Sequence, residues 1–540
     1  MWKLLLRMMC GVMLVPCMLR LSAQMPCEQL VAVHLPDAKI LSAKLVPAGE
    51  LASAKAFGTV PAHCDVQGLI TPTSDSVIHF ELWLPSASDW NGKYMQIGSG
   101  GWGGIILDRQ FVKPIARGYA VAATDDGHSA NGDETGKFTL GHPQKLIDFG
   151  YRAVHLTSSD SRIVLDAFYG RQERHAYFVG CSDGGRESLM EAERFPEDFD
   201  GIVAGAPANH WTHHFTGFIW NERALFSNGE SVLPAQKLPL IEKAALAACD
   251  KLDGVEDGLI EDPRACHFDP SVLECKNGDG ADCLTAAQIE AVQKIYAGPK
   301  DPVTGEQIYP GYAPGTEAEI GAWQMWLLGR VQAQFGNSNF ADATYENANW
   351  DWHTSDLHKD LQLTEQKVGP YVDSYNPDLR SFRDRGGKLL QYHGWGDAAI
   401  APQDSIDFYG KVQEFLSTYP DSRKHTSEDI HDFYRLFMVP GMGHCGGGAG
   451  TGSFGNELIT SPGVPQDPDH DIVLALDHWV VDGVAPDRII ATRPAGQPAS
   501  IAIPEPMTRP LCAFPAVARY RGSGSVKDAA SFGCVAPQAH

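Results

Sequence analysis

Short apolar segments alternate with longer amphipathic segments in two separate parts of the chain. Apolar segments of this length, bounded by glycine, proline and polar residues, predict buried strands, and an amphipathic stretch at about 151–169 predicts a helix. Strands that alternate with helices at this spacing predict an α/β fold with a doubly wound, mostly parallel sheet. The predicted strands are 77–85, 94–97, 119–124, 175–179, 200–207, 388–393 and 434–439.

The alternation stops after about Asn209 and resumes near Gly387. The region between them carries four cysteines and several clustered tryptophans, without a clear order of strands and helices. This pattern is typical of a lid domain inserted into a sheet-forming core. Aromatic side chains there could line a pocket for an aromatic acyl group or form the lid's own core, and the pattern leaves both open. The tryptophans are Trp323, Trp326, Trp350 and Trp352.

The composition is that of an ordinary globular protein with more than one part. The 540 residues are 43% hydrophobic and 20% charged, and length alone permits about two to four domains. The formal net charge of −24 argues against nucleic acid or an anionic membrane surface as a partner. The predicted division is a signal peptide at 1–23, a first part of the core at 24–208, a lid at 209–373 and a second part of the core at 374–540.

The first residues have the pattern of an export signal. Lys3 and Arg7 precede an uncharged apolar segment at 8–19, and small residues then place cleavage just before Gln24. The apolar segment is shorter than the roughly 20 residues that span a bilayer, so a membrane anchor is the weaker interpretation. We therefore expect a secreted or periplasmic protein.

The cysteines agree with export. Ten of the twelve lie beyond the predicted signal peptide, and an even number in an exported chain predicts disulfide bonds. Counting does not determine their connectivity, but proximity suggests four pairs and leaves Cys181 and Cys445 to pair across the chain. A zinc site is the weaker alternative, because no Cys-x-x-Cys pair is present. The four pairs are Cys27–Cys64, Cys249–Cys266, Cys275–Cys283 and Cys512–Cys534.

A Gly-x-Ser-x-Gly motif at 180–184 follows the apolar run that starts at His175 and precedes a helix-like segment at 187–195. A serine on such a strand-to-helix turn exposes its hydroxyl, and the flanking glycines tolerate the strained backbone. This context predicts the nucleophile elbow of an α/β-hydrolase, with Ser182 as the nucleophile. The alternative is a tight turn in a loop of small residues.

A glycine-rich loop at 98–104 follows the predicted strand at 94–97. In α/β-hydrolases such a loop supplies one backbone N–H to the oxyanion hole, and the residue after the nucleophile supplies the other. Here these would be the amides of Gly101 (or Gly100) and Asp183. The alternative is a flexible loop without a catalytic role.

A carboxylate and a histidine follow two late predicted strands. Asp397 lies beyond the strand at 388–393 and His444 beyond the strand at 434–439, so Ser, Asp and His occur in the chain order of α/β-hydrolases. We expect Asp397 to orient the imidazole of His444, and His444 to accept the Ser182 proton. His393 is a rival base, but it lies at the end of the strand rather than beyond it.

An acidic loop lies inside the predicted lid. Asp250, Asp253 and Asp257 are three and four positions apart, and the glycines among them permit sharp turns. Together with the backbone carbonyl groups of Val255 and Leu259, these carboxylates could surround a calcium ion, in a loop that differs from an EF-hand. An acidic solvated turn explains the same spacing equally well.

Four segments together closely resemble the tannase and feruloyl esterase family, which also includes the bacterial hydrolase of mono-(2-hydroxyethyl) terephthalate. They are 180–186, 194–196, 200–207 and 441–445. The resemblance covers essentially the whole mature chain and implies an α/β-hydrolase fold with a large lid. Its most specific mark is a disulfide between the neighbours of the nucleophile and the base. It implies the triad Ser182, Asp397 and His444, the bridge Cys181–Cys445, and a structural calcium ion held by Asp250, Asp253, Asp257, Val255 and Leu259.

The resemblance further implies a secreted serine carboxylesterase that hydrolyses esters of aromatic (phenolic) carboxylic acids through an acyl-enzyme, without an organic cofactor. Feruloyl, galloyl and terephthalate monoesters stay open as substrates, because no lid residue distinguishes them. Trp395, beside Asp397, could stack on an aromatic acyl group or simply pack. The alternative of a different class is a catalytically inactive binding protein with this fold, and the intact triad with both bridging cysteines argues against it. The expected partner is a small aromatic ester, not nucleic acid or a membrane.

Overall fold

The fold is known from a computed structural model, which describes residues 25–50, 59–226, 229–418, 427–456, 464–494 and 506–536. The predicted signal peptide and its cleavage site lie outside these residues. Within them, no helix combines the length and the apolar character that crossing a bilayer requires.

A nine-stranded sheet forms the centre of the molecule and confirms the predicted α/β class. The strands are β1 (Ala38–Val46), β2 (Gly49–Glu50), β3 (Thr59–Val60), β4 (His63–Ile70), β5 (Ile78–Pro85), β6 (Lys93–Ile97), β7 (Ala120–Thr124), β8 (His175–Cys181), β9 (Gly201–Gly205), β10 (Lys388–Gly394), β11 (Tyr434–Val439), β12 (Arg488–Arg493), β13 (Met507–Cys512), β14 (Val517–Tyr520) and β15 (Phe532–Val535).

The large sheet has the strand order β1-β4-β5-β7-β6-β8-β9-β10-β11. The six strands from β7 to β11 pair in parallel, and β1, β4 and β5 join them through antiparallel pairs at one edge. The sheet is therefore mostly parallel, as predicted. The other strands form three separate two-stranded sheets, β2–β3, β12–β13 and β14–β15.

Helices cover both faces of the large sheet. The helices are α1 (Val112–Ala116), α2 (Pro143–Ile147), α3 (Ala153–Tyr169), α4 (Asp183–Arg194), α5 (Trp211–Phe226), α6 (Leu238–Cys249), α7 (Ala286–Ala297), α8 (Val331–Ser338), α9 (Leu357–Lys367), α10 (Gly369–Val372), α11 (Arg380–Asp384), α12 (Gln403–Thr418) and α13 (Ile472–Asp482). α3, α4 and α12 contribute to the hydrophobic cluster on one face, and α1 and α13 to the cluster on the other.

The central strands are apolar at consecutive positions because both sheet faces are buried. Successive side chains of a strand point to opposite faces. On β8, Ala176 and Phe178 belong to one hydrophobic cluster, whereas Tyr177 and Val179 belong to the other. This double burial explains why unbroken apolar runs predicted these strands.

Two features of the fold differ from the sequence prediction. The helix after Ser182 begins at Asp183 rather than at Glu187, because Gly184 and Gly185, which indicated a turn, are helical residues in close contact with neighbouring backbone. Strands β1 and β4 of the large sheet and the six strands of the small sheets were not predicted. β1 is an edge strand in which only Ile40 and Ala43 are buried, so its apolar signal is weak.

The part of the chain between β9 and β10 adds no strand to the large sheet among its described residues. It contains α5 to α11 and has a hydrophobic cluster of its own, to which Ile241, Val292 and Trp323 belong. The predicted lid falls within this part, and its limits at 209 and 373 stay a prediction.

All five disulfide bonds suggested by the sequence are present. They are Cys27–Cys64, Cys181–Cys445, Cys249–Cys266, Cys275–Cys283 and Cys512–Cys534. Disulfides form and persist in oxidising compartments, so the chain has the chemistry of a protein that folds in one.

Candidate active site

Ser182 lies at the junction of β8 and α4 in a strained backbone conformation. Its φ is +67° and its ψ is −121°, a region that residues other than glycine rarely occupy. The turn is possible because glycines surround it. A Cβ on Gly180 would lie 2.2 Å from the carbonyl oxygen of Gly184, and one on Gly185 would lie 2.3 Å from that of Gly205. The motif therefore forms the sharp strand-to-helix turn that its spacing predicts.

His444 and Asp397 form a hydrogen-bonded row with Ser182. The Oγ atom of Ser182 lies 2.9 Å from Nε2 of His444, and Nδ1 of His444 lies 2.8 Å from Oδ2 of Asp397. Oδ1 of Asp397 accepts hydrogen bonds from the amides of Ala399 and Ile400. The three predicted residues follow β8, β10 and β11, and the sheet brings their side chains together.

A second imidazole, that of His393, also contacts Asp397. Its Nε2 lies 3.2 Å from Oδ2 of Asp397, and its Nδ1 lies 2.7 Å from the hydroxyl of Ser405. His393, the rival base, thus faces Asp397 and Ser405 rather than Ser182. Burial by itself would raise the pKa of Asp397, but His444 and His393 outweigh it and hold that pKa below its usual range. Asp397 is therefore ionised at neutral pH.

The loops that carry Ser182 and His444 are covalently joined. Their neighbours Cys181 and Cys445 form a disulfide between positions 264 residues apart. Asn456 further supports the histidine loop, because its Nδ2 donates to the carbonyl oxygen of Cys445 over 2.9 Å. The disulfide and the Asn456 hydrogen bond thus hold the hydroxyl of Ser182 and the imidazole of His444 within hydrogen-bonding distance of each other.

The glycine-rich segment 98–104, here called the oxyanion loop, lies beside the start of α4. Gly101 and Ser182 line the same cavity. Asp183 is the first residue of α4, and the first amides of a helix have no carbonyl partner within the helix. Both amides predicted for the oxyanion hole therefore lie close to Ser182. That they bind an oxyanion stays a prediction.

A cavity of about 660 Å³ opens at Ser182 and His444. Two aromatic side chains from the predicted lid region, Trp326 and Phe335, form part of its wall. The rings of Trp326 and His444 meet edge to face, with their centroids 5.1 Å apart. A narrower apolar cleft next to Ser182 is lined by the same two aromatic residues together with Phe215, Phe218, Trp211, Ala399 and Ile400.

The aromatic residues singled out from the sequence divide between cavity and core. Trp326 lines the cavity, whereas Trp323 and Trp352 are buried in the lid's hydrophobic cluster and Trp350 stacks on Phe340. Trp395 is also buried in a hydrophobic cluster and lines neither the cavity nor the cleft, so it packs. Phe335 was not identified from the sequence, because an isolated aromatic residue carries no signal of what it faces.

The acidic loop of the lid is compact and tightly bonded. The two carboxylate oxygens of Asp250 accept from the amides of Asp257 and Gly258, and Asp253 accepts from the amide of Val255. Asp257 pairs with Arg509, whose side chain is 1% exposed. Cys266, bonded to Cys249, closes the loop at its base.

Negative charge accumulates in this loop. Burial, followed by the charges of Asp257 and Asp250, raises the pKa of Asp253 to about 6. Three carboxylates and two backbone carbonyl groups within ten residues are the hard oxygen donors that calcium prefers. The chemistry of these donors suits a calcium ion, which would relieve the repulsion, although the three carboxylates are not among the described acidic groups whose oxygens lie within 4.8 Å of one another.

Comparison with known proteins places these observations in one family. The model of the tannase and feruloyl esterase family matches residues 64–535. An uncharacterized esterase of Xanthomonas campestris pv. campestris is 39% identical to this chain, over 95% of the chain and 92% of the relative. A mono(2-hydroxyethyl) terephthalate hydrolase of Piscinibacter sakaiensis is 33% identical, over 88% of the chain and 85% of the relative.

A solved structure shares the fold over almost the whole chain. The crystal structure of feruloyl esterase B from Aspergillus oryzae superposes with a TM-score of 0.84 at 29% sequence identity. The match covers 94% of this chain and 99% of that one.

Proposed function

Because the chain belongs to the tannase and feruloyl esterase family, we propose that it hydrolyses esters of aromatic carboxylic acids, with Ser182 as the nucleophile. The observation that carries the proposal is the hydrogen-bonded row from Asp397 through His444 to Ser182, at 2.8 and 2.9 Å, at the edge of a large cavity.

The hydrogen bonds among the three residues run in the direction that nucleophilic catalysis requires. Ionised Asp397 accepts the Nδ1–H of His444, which leaves Nε2 free to accept the proton of Ser182. The serine oxygen then attacks the ester carbonyl. His444 passes the proton to the leaving alcohol, and the acyl group stays on Ser182. Water, activated by the same imidazole, releases the acid and restores the hydroxyl.

The developing negative charge would be stabilised by backbone amides. We assign this role to the amides of Gly101 and Asp183, two residues that line one cleft together with Ser182. Removal of one such donor typically lowers the rate by about 10²- to 10³-fold. Because both donors are main-chain groups, the position of the oxyanion loop relative to α4 determines the rate.

Aromatic walls favour an aromatic acyl group. Trp326 and Phe335 line both the cavity and the cleft at Ser182. Aromatic rings pair favourably in stacked or edge-to-face geometry. The names of relatives indicate feruloyl and terephthalate monoesters as substrates of those proteins. For this chain we propose the shared class, an aromatic carboxylic ester, and galloyl esters belong to the same class.

We assign a structural calcium ion to the acidic loop. Asp250, Asp253 and Asp257 would hold it, with the carbonyl groups of Val255 and Leu259. The ion would supply charge neutralisation and fix the loop, and it takes no part in the reaction steps above. Asp257 of the loop also pairs with Arg509 in β13, so the loop is connected to one of the C-terminal two-stranded sheets.

We also infer that the protein is secreted or periplasmic. Five disulfides favour a secreted or periplasmic protein. A small aromatic ester is the partner that the cavity suits, and the net charge of −24 disfavours nucleic acid and anionic membranes.

The test is a spectrophotometric panel of methyl ferulate, methyl gallate and mono-(2-hydroxyethyl) terephthalate. We expect hydrolysis of at least one of them, and we expect Ser182→Ala to abolish it while the far-UV circular dichroism is unchanged. A serine-reactive phosphonate should label the natural protein and not the variant. Failure to label, with no hydrolysis of any ester, would instead support an inactive binding protein.

A further inference from the structure

Three carboxyl groups that take no part in these reaction steps lie behind the oxyanion loop. Asp126, Asp183 and Glu187 are at most 1% exposed, and each offers an oxygen within 4.8 Å of the others. The guanidinium of Arg186 binds Oδ1 of Asp183. Three carboxyl groups and one guanidinium thus lie together in the protein interior, where each uncompensated charge is unfavourable.

Ser99 belongs to the oxyanion loop, and its N–H, carbonyl and hydroxyl groups all form hydrogen bonds to α4. Its N–H donates to Oε2 of Glu187 over 2.9 Å, and its carbonyl oxygen accepts from the amide of Gly184 over 3.0 Å. Its hydroxyl oxygen lies 3.0 Å from Oδ2 of Asp183 and 3.0 Å from Oε1 of Glu187. Ser99 precedes Gly101 by two residues, so α4 holds the loop directly before its predicted amide donor.

The hydrogen bonds of the Ser99 hydroxyl require a proton on one of the carboxyl groups. A serine hydroxyl has one hydrogen to donate, yet that of Ser99 touches two carboxyl oxygens. The second contact is a hydrogen bond only if one carboxyl group donates. Burial raises the pKa of Asp183 as well, but the guanidinium of Arg186 is hydrogen-bonded to Asp183 and opposes this shift, which favours the ionised form of Asp183. The proton therefore belongs on Glu187, whose Oε1–H then donates to Ser99 while Oε2 accepts the Ser99 amide.

The electrostatics of the cluster agree with this assignment. Burial raises the pKa of Glu187 well above its usual value, the charges of Asp126 and Asp183 raise it further, and Arg186 acts in the opposite direction. Burial, followed by the charge of Asp183, raises the pKa of Asp126 to about 7. The Ser99 hydroxyl acts in the opposite direction on the pKa of Asp126, although neither carboxylate oxygen of Asp126 has a partner at hydrogen-bonding distance among the described residues.

We propose that Glu187 in its neutral form is a positioning residue for the oxyanion hole. It holds Ser99, and through Ser99 the amide of Gly101, at a fixed distance from the amide of Asp183. The inference rests on the proposed function, because it concerns the same reaction. Gly98 leaves no slack, since a Cβ there would lie 2.7 Å from Oε2 of Glu187 and 2.6 Å from Cα of Gly184.

The proposal predicts a loss of catalysis at alkaline pH. Once Glu187 ionises, two oxygen lone pairs face each other across its contact with the Ser99 hydroxyl, and the loop loses one of its bonds to α4. Below the folded-state pKa of Glu187 the bond is intact. The ionisable groups that act on Glu187 are Asp183, Arg186 and Glu191 on its own helix and Asp126 in the turn after β7.

The sign of the stability effect follows from proton binding. An unfolded glutamate loses its proton near pH 4.3, whereas folded Glu187 keeps its proton to higher pH. The folded state therefore binds more protons in that window, and stability falls as pH rises through it. Glu187→Gln removes this loss.

The experiment compares Glu187→Gln, Glu187→Ala and Glu191→Gln on one aromatic ester. Glutamine imitates the neutral acid, because its oxygen can accept the Ser99 amide and its NH₂ can donate to the Ser99 hydroxyl. We expect Glu187→Ala to lower kcat by about 10- to 100-fold with little change in KM, since a displacement of about 1 Å at a reacting group can have this effect. Glu187→Gln should keep most of kcat and lose the alkaline decline.

Glu191 is the matched control. It lies one turn further along α4, is equally buried at 1% exposed, and has its pKa raised well above the usual value first by burial and then by Asp198. It has no hydrogen bond to the oxyanion loop within the described residues. Glu191→Gln should therefore leave kcat as in the natural protein and should still show an alkaline decline.

Two results overturn the proposal. One is an equal loss of kcat in Glu187→Gln and Glu187→Ala. The other is a decline of kcat at alkaline pH in Glu187→Gln that equals the decline in the natural protein. Denaturant unfolding at pH 5 and pH 9 tests the proton without substrate, and Glu187→Gln should gain stability over the natural protein only at the higher pH. Absence of hydrolysis by the natural protein would reject the proposed function, whereas this unfolding result would still decide the state of Glu187.

Discussion

Two clusters of carboxylates in this chain are stabilised in different ways. Asp126 comes from the turn after β7, whereas Asp183 and Glu187 both come from α4. All three are buried, and a proton together with Arg186 compensates their charge. The acidic loop 250–259 is continuous in sequence and only partly buried, and backbone amides and Arg509 compensate it. A buried proton gives a fixed support for catalysis. A loop near solvent can instead take up a cation from solution.

Each cluster also has its own disulfide. Cys181–Cys445 joins residues 264 positions apart and links the nucleophile loop to the base loop. Cys249–Cys266 spans 17 positions and closes the acidic loop. We therefore expect the first region to set the geometry of the reaction and the second to set the stability of the lid.

Removal of calcium is expected to have the largest effect. A chelator should lower the free energy of unfolding by about 3–4 kcal/mol relative to saturating calcium at 100–1,000 times its Kd. The melting temperature should therefore fall and recover when calcium is restored. At a temperature well below melting, kcat should be unchanged, because the loop contributes no reacting group.

Asp253→Asn is the control for this experiment, and it should abolish the response of the melting temperature to calcium. A large fall in kcat on chelation, with the fold intact, would contradict the separation of the two regions. No change in melting temperature would instead support the solvated acidic turn.

The contrast between the two clusters also marks what the sequence could reveal. The acidic loop was recognised because its oxygen donors lie within one short segment. Ser182, Asp397 and His444 were recognised because each directly follows an apolar strand, so strand ends placed them at one edge of the sheet. These signals are local and depend on spacing.

The supporting contacts could not be predicted, because they join residues distant in sequence. The bonds of Ser99 to Glu187 join residues 88 positions apart and depend on how the oxyanion loop packs on α4. Trp323 and Trp326 are close neighbours of one type, yet one is buried in the lid and the other faces His444. The geometry of the backbone, not composition, decides between them.

Removal of the Cys181–Cys445 or the Cys249–Cys266 disulfide should affect the two regions differently, with a smaller effect than removal of calcium. Replacing Cys181 and Cys445 by alanine should lower kcat by about 10- to 100-fold, because Ser182 and His444 lose their shared anchor. Replacing Cys249 and Cys266 should leave kcat nearly unchanged. Both pairs should lose stability, typically about 2–4 kcal/mol.

The measurement is kcat at a temperature where both double variants are folded, with circular dichroism as the check. Full turnover without Cys181 and Cys445 would show that packing alone positions the serine and the histidine. An equal loss of kcat in both double variants would show that the lid and the reaction geometry are coupled.

The smallest effect concerns the place where the lid touches the catalytic row. The ring of Trp326 contacts that of His444 and lines both the cavity and the cleft. Trp326→Leu should raise KM for aromatic esters by about three- to tenfold, because it removes the aromatic ring and a well-placed aromatic pair contributes about 0.5–1.5 kcal/mol. Trp350→Leu is the matched control, since Trp350 stacks on Phe340 within the lid, and its KM should be unchanged. An unchanged KM in Trp326→Leu, or an equal rise for a short aliphatic ester such as an acetate, would mean that the aromatic wall does not select the acyl group.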